Sequence, residues 1–371
     1  MKTCGHLAFL CLSVIVHEVY SQSQTLDDKL HHVRNSETQE WSEFPKETSQ
    51  NRVKIPFSAR VNTQEFTLSL RQYDVKQDWR VRLNEHDMGT LVTDEKDMRV
   101  YFAVPRNVLR DGLNEMQIVC VNEIPDDVRV GEFIVYDRPL TDVLSEASLD
   151  IQVMDINSNQ LLPSRITIVD QKGCLQTVFP GDNKNLAVRP GVIYTADGKA
   201  SFKIPAGKYK VYAGRGFEYG IDSLDITLKS GDRLQKTLRI RREVSTEGWI
   251  TCDTHIHTFT HSGHGDASTL ERAITIAGEG IEMPILTDHN IYVDLTPEAK
   301  AAGVNSYFTA VTGDEVTTKF GHFNVFKTET GRPVINHEAK DWPDVMQKIY
   351  DGRNTKAIIL NQARDIHVGF R

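Results

Sequence analysis

Carboxylate and imidazole side chains alternate over residues 253–257, where Asp253, His255 and His257 are separated by single residues. Side chains alternate between the two faces of a strand, so a strand here places all three on one face, with about 7 Å between neighbours. Two imidazoles and a carboxylate in this arrangement can bind one metal ion or two adjacent ions. A surface strand with polar residues is the alternative, and a lone His-x-His pair would favour it.

Further polar residues gather at the ends of the predicted strands or in the loops that follow them. These residues are His264, Asp288, His289, Asn290, Glu315 and His322. Because the carboxyl ends of strands form the active face of α/β barrels, we expect these side chains to meet. Each histidine taken singly is better explained as a solvated or hydrogen-bonded residue. Five histidines and a glutamate at successive strand termini, however, do not arise easily from packing needs.

The elements that must position these residues change in character at Trp249. From there, predicted strands alternate with helical segments. Ser268 and Glu271 have the spacing of a capping box, apolar residues follow at helical spacing, and Gly278 and Gly280 end the helix. This β/α alternation indicates a mostly parallel sheet or a barrel.

The residues before Trp249 predict all-β structure. Short strands separated by turn signals over 52–140 indicate a β-sandwich, and 148–243 has the same pattern. Within the second region, the run Ala200–Tyr212 is a strand, a Pro-Ala-Gly turn and a second strand. It resembles the transthyretin-like or carboxypeptidase-regulatory β-sandwich, which implies a structural role.

The N-terminus has the features of a signal peptide over residues 1–21. Lys2 precedes the ten-residue apolar run Leu7–Val16, which is too short to span a membrane. No later stretch approaches ~20 apolar residues, so we expect no integral membrane segment in the mature chain and a secreted or periplasmic location. The polar residues 22–51 predict a flexible leader. A formal net charge of −8 over 371 residues argues against a nucleic-acid partner.

Three motifs carry a resemblance to a known family. They are D-x-H-x-H at 253–257, T-D-H-N at 287–290 and G-D-E at 313–315, and the match extends through G-H-F-N and the strand end at 360–365. Together they are similar to the PHP superfamily, named for polymerase and histidinol phosphatase, and most of all to its secreted carbamate- and amide-cleaving metallohydrolases. The resemblance covers 248–371 and implies a distorted β/α barrel with two or three divalent ions, Zn, Mn or Fe.

The resemblance also implies a role for each matching residue. The implied metal ligands are His255, His257, His264, His289, the bridging Glu315 and His322. Asp253, Asp288 and Asn290 are expected to orient the ligands, and Asp266 supports the site or replaces His264 as a ligand. Asp288 and Arg364 are the candidate catalytic residues. Arg364 suits a substrate phosphate or carboxylate, and an ordinary surface salt bridge explains it equally well.

Two departures from the family pattern bear on the expected fold and site. Gln362 stands where the family usually has a ligand histidine. The segment from Trp249 onward is also about half of the ~250 residues that a closed barrel takes. The predicted architecture is therefore multidomain: two all-β sandwiches followed by an α/β barrel of PHP type that is incomplete at its C-terminus.

These features predict a secreted metal-dependent hydrolase of phosphoester, amide or carbamate bonds in a small-molecule substrate. Adjacent divalent ions lower the pKa of a bridging water from 15.7 to about 7, which gives a hydroxide that attacks a phosphoryl or carbonyl centre. The main alternative is a non-enzymatic secreted binding protein with a partial metal site, which Gln362 favours. A nucleic-acid enzyme is a further alternative, against which the acidic charge and the signal peptide weigh.

Overall fold

The structure is a computed structural model that describes residues 23–40, 44–46, 52–326, 328, 331, 333–351 and 355–363. The predicted signal peptide and Arg364 lie outside the described residues. Strand accounts for 47% and helix for 11% of the structure. In the part of the chain that is described, no helix has the length and apolar character needed to cross a membrane.

The first region is built from eight strands in two facing sheets. The strands are β1 (Ser23–Arg34), β2 (Val53–Ala59), β3 (Phe66–Tyr73), β4 (Trp79–Leu83), β5 (His86–Thr90), β6 (Met98–Val104), β7 (Gly112–Cys120) and β8 (Asp127–Tyr136). One sheet has the order β1-β8-β3-β6, and the other has the order β2-β7-β4-β5. Alternate residues of β2, β4 and β6 are buried, and they meet in a core that includes Trp79 and Phe133. This alternation is expected where each sheet has one face toward the core.

Strand β1 lies in the segment that was predicted to be a flexible leader. It pairs antiparallel with β8, from Ser23 opposite Tyr136 to Arg34 opposite Asp127. The buried Asp127 carboxylate accepts a hydrogen bond from the Arg34 Nε at 2.7 Å. The leader prediction is therefore wrong for Ser23–Arg34, because sheet pairing and a buried ion pair outweigh the polar composition of the strand.

The second region follows the short helix α1 (Leu140–Leu144) and again has two facing sheets. Its strands are β9 (Ala147–Asp155), β10 (Ser164–Asp170), β11 (Leu175–Gln176), β12 (Leu186–Arg189), β13 (Val192–Thr195), β14 (Lys199–Ile204), β15 (Gly207–Gly214), β16 (Asp222–Leu228) and β17 (Arg233–Ile240). The sheet β14-β9-β17 faces the strands around β10, and Leu149, Ile166 and Phe202 lie in the shared core. Strand β11 pairs in parallel with β6, with Leu175 opposite Met98. One ten-stranded sheet therefore runs through both regions.

The third region holds the predicted ligands and is a single five-stranded sheet with helices. Its strands are β18 (Cys252–Ile256), β19 (Met283–Leu286), β20 (Val311–Thr318), β21 (Gly321–Phe326) and β22 (Ala357–Asn361), and its helices are α2 (Phe259–Ser262), α3 (Thr269–Gly278), α4 (Thr296–Ala301) and α5 (Trp342–Asp351). The strands lie in numerical order. Strands β18, β19 and β20 are parallel, whereas β21 and β22 join antiparallel.

Helix α3 packs against the second region as well as its own sheet. Its residues Ala273, Ile274 and Ala277 share a core with Leu286 of β19 and with Ala187 of β12. The cap predicted for this helix is present, because the Ser268 side chain accepts a hydrogen bond from the Glu271 N–H and the Glu271 side chain accepts one from the Ser268 N–H. The sheet that carries the ligands is thus fixed to the second region through one capped helix.

The described residues do not form an α/β barrel, so the predicted fold class is wrong. A barrel needs a helical crossover between neighbouring parallel strands. Here β20 turns back directly into β21, with Thr318 opposite Gly321, and the resulting hairpin makes the sheet mixed. The predicted β/α alternation with parallel pairing holds from β18 to β20, and α5 then connects two antiparallel strands, β21 and β22. The result is an open sheet in a molecule that is nearly all β.

Candidate metal centre

The first two histidines lie where β18 ends and the chain turns into α2. His255 is on the strand, and His257 follows its last residue. Thr258 caps α2, because its side chain accepts a hydrogen bond from the His261 N–H, and Gly263 ends the helix with φ 70°. This left-handed conformation suits glycine. The tight turn that follows brings His264 back toward His257, at a ring-centroid distance of 4.6 Å.

Glu315 lies at the centre of the cluster and contacts four imidazoles. Its Oε2 lies 3.3 Å from the Nε2 of His255, 3.0 Å from the Nε2 of His257 and 3.1 Å from the Nδ1 of His289. Its Oε1 lies 3.1 Å from the Nδ1 of His322. The Glu315 side chain is 1% exposed. A buried carboxylate therefore joins four histidines from three separate segments of the chain.

The imidazole nitrogens also face one another. The Nε2 atoms of His255 and His257 are 2.9 Å apart, and those of His264 and His289 are 2.7 Å apart. Ligand atoms lie within 4.8 Å of one another in three groups: His257, His264 and His289; His255, His257 and Glu315; and His289, Glu315 and His322. Because neutral imidazole nitrogens carry lone pairs, their convergence fits divalent cations. Imidazole with carboxylate suits Zn, Mn or Fe.

Burial and neighbouring charge shift the pKa values in this cluster. Burial alone would raise the pKa of Glu315, but hydrogen bonds from His255 and His257 outweigh it and hold that pKa far below its usual range. The hydrogen bond to Glu315 raises the pKa of His255. Burial, with the nearby charge of His257, lowers the pKa of His264, and burial lowers that of His289. Glu315 is therefore ionised, and His264 and His289 favour the neutral form that binds metals.

Among the described residues, Asp288 binds Thr258 and Ser262, which neighbour His257, and has no hydrogen bond to an imidazole. This residue is fully buried. Its carboxylate accepts hydrogen bonds from the Thr258 N–H at 2.7 Å and from the Ser262 hydroxyl at 2.5 Å. The Ser262 Oγ lies 3.1 Å from the Nδ1 of His257. Asp288 thus acts on His257 through Ser262, which makes it a positioning residue; its predicted catalytic role stays a prediction.

Asp253 and Asn290 hold the backbone of ligand residues rather than their rings. The Asp253 carboxylate accepts a hydrogen bond from the His255 N–H at 3.0 Å. Asn290, with φ 55°, donates its N–H to the Glu315 carbonyl at 3.1 Å, and its Oδ1 accepts from the Thr317 N–H at 3.0 Å. These contacts fix the strand ends that carry His255 and Glu315.

Asp266 lies outside the cluster. Its side chain is 67% exposed, and its Oδ2 accepts a hydrogen bond from the Arg189 Nε at 2.9 Å. His264 occupies the position beside His257 and His289 instead. The alternative in which Asp266 replaces His264 as a ligand is therefore wrong for this structure, because an arginine of the second region binds that carboxylate.

Asn361 contacts the cluster, whereas Gln362, the neighbouring residue that was singled out from the sequence, does not. The Asn361 amide donates to the Glu315 Oε1 at 3.0 Å and to the Asn324 Oδ1 at 2.6 Å. Gln362 is exposed, with φ 50°. Side chains of adjacent residues in a strand point to opposite faces, so only one of Asn361 and Gln362 can face the cluster. This alternation was the sequence signal that could have selected Asn361.

Thr317 is a second residue that the sequence did not single out. Its Oγ1 lies 2.6 Å from the Nδ1 of His289, the nitrogen that also faces Glu315. Thr317 is two residues beyond Glu315 on β20, and strand periodicity places both on one face. The available signal was therefore the spacing from Glu315. Arg364, the remaining candidate, lies outside the described residues.

Comparisons with known proteins give little guidance. No family model matches this chain, and no curated protein matches it. Among solved structures, the minor pilin of Streptococcus agalactiae is 11% identical, aligns with 58% of this chain and 97% of its own, and has a TM-score of 0.24. The major pilin subunit of Bacillus cereus is 9% identical, aligns with 61% and 79%, and has a TM-score of 0.21. Scores this low carry no argument about function.

The assignment to the PHP superfamily is contradicted, together with the description of the chain as a PHP-domain hydrolase. No family model matches the chain, and the sheet that carries the candidate ligands is open and mixed, not a β/α barrel. The resemblance of 148–243 to a carboxypeptidase-regulatory sandwich has no support either. The short motifs predicted which side chains come together, but they did not predict the fold that brings them together.

Proposed function

We propose that this cluster binds two or three divalent metal ions and that the chain uses them to hydrolyse phosphoester, amide or carbamate bonds. One observation carries the proposal: the buried Glu315 carboxylate faces four imidazoles at 3.0–3.3 Å. Glu315 belongs to two of the three ligand groups, as a carboxylate bridging two ions would. Divalent ions at such a site activate water near neutral pH and polarise a phosphoryl or carbonyl oxygen.

A cleft on the surface gives a substrate access to this site. A cleft of about 590 Å³ opens beside it, and His255, His257 and His264 line the cleft. The His255 side chain is 34% exposed, in contrast to the 1% exposure of Glu315. Glu315 thus contacts the histidines on their buried side. The exposed side of His255 faces the cleft, whose size suits a small molecule.

A binding protein with a partial metal site is the second candidate. The observation that favours it is Asn361, because β22 places an amide beside Glu315 and not an imidazole. Amides are weaker ligands than imidazoles for Zn or Mn, so one ion position has fewer strong donors. In this alternative, the metal ions stabilise the third region and the chain has no hydrolytic activity.

The full-length protein loaded with Zn²⁺ or Mn²⁺ tests both candidates. Elemental analysis should find two or more ions per chain, and Glu315→Gln should remove at least one, whereas the exposed control Asp225→Asn should remove none. Phenyl phosphate, an anilide and an aryl carbamate should then be assayed before and after chelation. Near-zero metal, or hydrolysis that survives complete chelation, would refute the hydrolase. Two bound ions with no hydrolysis of any of these substrates would favour the binding protein.

We also propose that the chain is exported, with a secreted or periplasmic location, and that it has no nucleic-acid partner. The support is the apolar run Leu7–Val16 behind Lys2 and the net charge of −8. Expression in a secreting host, followed by mass spectrometry of the N-terminus, tests export. We expect cleavage near residue 21, and retention of the intact N-terminus inside the cell would count against export.

A further inference from the structure

The cleft beside the metal cluster has a second wall that belongs to other regions of the molecule. It is lined by His255, His257 and His264 of the third region and by Arg165 and Arg189 of the second. Lys96, from the turn before β6, also lines the space. The cleft therefore brings cationic side chains into the same space as the candidate metal ligands.

Two of the arginines in this cleft are already paired. Arg165 lies 3.2 Å from the Glu279 carboxylate. Arg189 lies 2.9 Å from the Asp266 carboxylate and 3.0 Å from that of Glu271. Their charges are compensated within the protein, so neither is free to bind an anion without losing a partner.

Arg272 differs from these arginines. Its Nε donates a hydrogen bond to the His257 carbonyl at 3.0 Å. Among the described residues, its two terminal nitrogens have no hydrogen-bond partner and its guanidinium has no ion pair. A side-chain carbon added at Gly265 would lie 3.9 Å from its Nη2, which places that nitrogen beside the loop that carries His264. The half-buried guanidinium of Arg272 thus has both terminal nitrogens available for hydrogen bonds, next to the candidate metal ligands His257 and His264.

The geometry of Arg272 suits an oxyanion. A guanidinium presents a planar fork that binds a carboxylate or phosphate through two parallel hydrogen bonds. Leaving such a charge half-buried without a partner is costly, and a bound anion removes that cost. Arg272 lies on the capped helix α3 and is tied to the strand end at His257, so its fork is held in place before any ligand arrives.

The acidic residues of the cleft are already engaged. Asp266 and Glu279 pair with Arg189 and Arg165. Asp253 accepts the His255 N–H. Asp94 accepts the Lys96 N–H at 2.8 Å. The fork of Arg272 is therefore the guanidinium in this cleft that a ligand anion can complete, because Arg165 and Arg189 are already paired.

We propose that Arg272 binds an oxyanion of the substrate, a phosphate or a carboxylate, beside the metal ions. The substrate class is then small anionic molecules whose charged group lies next to the bond that is cleaved. This inference rests on the proposed function for the identity of the reaction. The binding of an anion by Arg272 can be measured separately from that reaction.

The test is calorimetric titration of the full-length protein with inorganic phosphate and, separately, with acetate, in the zinc-loaded and the metal-free state. The variants are Arg272→Gln, which removes the charge, and Arg272→Lys, which keeps the charge but removes the fork. Arg165→Gln is the matched control, because it alters a paired arginine of the same cleft. The zinc content of every variant is measured alongside.

We expect Arg272→Gln to weaken anion binding at least tenfold, Arg272→Lys to weaken it less, and Arg165→Gln to change it less than threefold. If phosphate alone depends on Arg272 the ligand group is a phosphate, and if acetate alone depends on it the group is a carboxylate. Equal affinity of the wild type and Arg272→Gln for both anions overturns the inference. Absence of bound zinc in the wild type overturns the proposed function instead, and the metal-free titrations then still decide the role of Arg272.

Discussion

Two adjacent carboxylates on β20 have opposite environments. Glu315 is surrounded by imidazoles that hold its pKa low, whereas burial raises the pKa of the fully buried Asp314 to about 7. Neighbouring residues of a strand point to opposite faces, which explains how side chains one position apart differ so much. Strand β20 thus carries the ionised carboxylate of Glu315, which faces the histidines, and the buried carboxyl group of Asp314, which resists ionisation.

Asp314→Asn should stabilise the metal-free protein at high pH. The folded pKa of Asp314, about 7, lies above the ordinary value of 3.8. Ionisation of Asp314 therefore costs no stability well below pH 4, and its cost grows between about pH 4 and pH 7 and is constant at higher pH. We expect the variant to gain about 1–3 kcal/mol over the wild type at pH 8 and less than half of that at pH 4.5.

Urea denaturation in the presence of a chelator measures this difference. The exposed Asp225→Asn is the control and should show no such pH dependence. A gain for Asp314→Asn that is equal at the two pH values would contradict a raised pKa.

At the scale of elements, the register of β22 decides which side chain reaches the cluster. Strand β22 pairs with β21 so that Asn361 lies opposite His322. This register directs the Asn361 amide to Glu315 and leaves Gln362 beyond the end of the strand. A slip of one residue would exchange the two side chains.

Asn361→Ala should weaken metal binding by about tenfold, the effect expected when a hydrogen bond to a ligand is lost. Gln362→His should leave the affinity unchanged, because position 362 does not face the cluster. Competition with a fluorescent zinc chelator gives both affinities. A rise in metal affinity for Gln362→His would mean that this position faces the ions after all.

The cap of α3 is a second feature at this scale. Ser268→Ala removes the side chain that accepts the Glu271 N–H, and we expect a loss of about 1 kcal/mol in the free energy of unfolding. Ser268→Asp, which restores a good cap, should recover most of that loss. Urea midpoints measure both variants, and an unchanged midpoint for Ser268→Ala would show that packing alone fixes the helix.

At the scale of the whole molecule, the second region supports the candidate metal centre through α3. Ala187 and Ala196 share a core with Ala273 and Ile276 of the helix. Polar contacts surround this core, since the Tyr194 hydroxyl lies 2.6 Å from the Glu279 carboxylate and Arg189 pairs with Asp266. The ligand-bearing sheet thus depends on a surface that a different part of the chain provides.

Ala187→Asp should therefore destabilise the metal centre although residue 187 is far from it in sequence. A buried, unpaired carboxylate at this interface should cost more than about 2 kcal/mol. We expect faster proteolysis of the third region and a lower metal content, whereas Lys184→Asp, at an exposed position just before β12, should change neither. Unaltered proteolysis of Ala187→Asp would show that the third region is stable on its own.

The sequence by itself determined which side chains are candidates for the metal centre. His255, His257, His289 and Glu315 could be chosen because ligand chemistry is a property of residue type and strand ends place such residues together. The structure brings them within contact of one another, and their role as ligands remains a prediction. The cap at Ser268 was also predictable, because a capping box is formed within one turn of chain.

Only the tertiary structure decided the architecture around those residues. Whether β20 turns back into a hairpin or crosses over through a helix depends on pairing between strands, which residue types do not specify. The choice of Asn361 over Gln362 depended on the register of β22, and the pairing of Asp266 with Arg189 depended on how two distant regions pack. These outcomes depend on contacts between residues far apart in the chain. A short motif predicts only the structure of its own few residues.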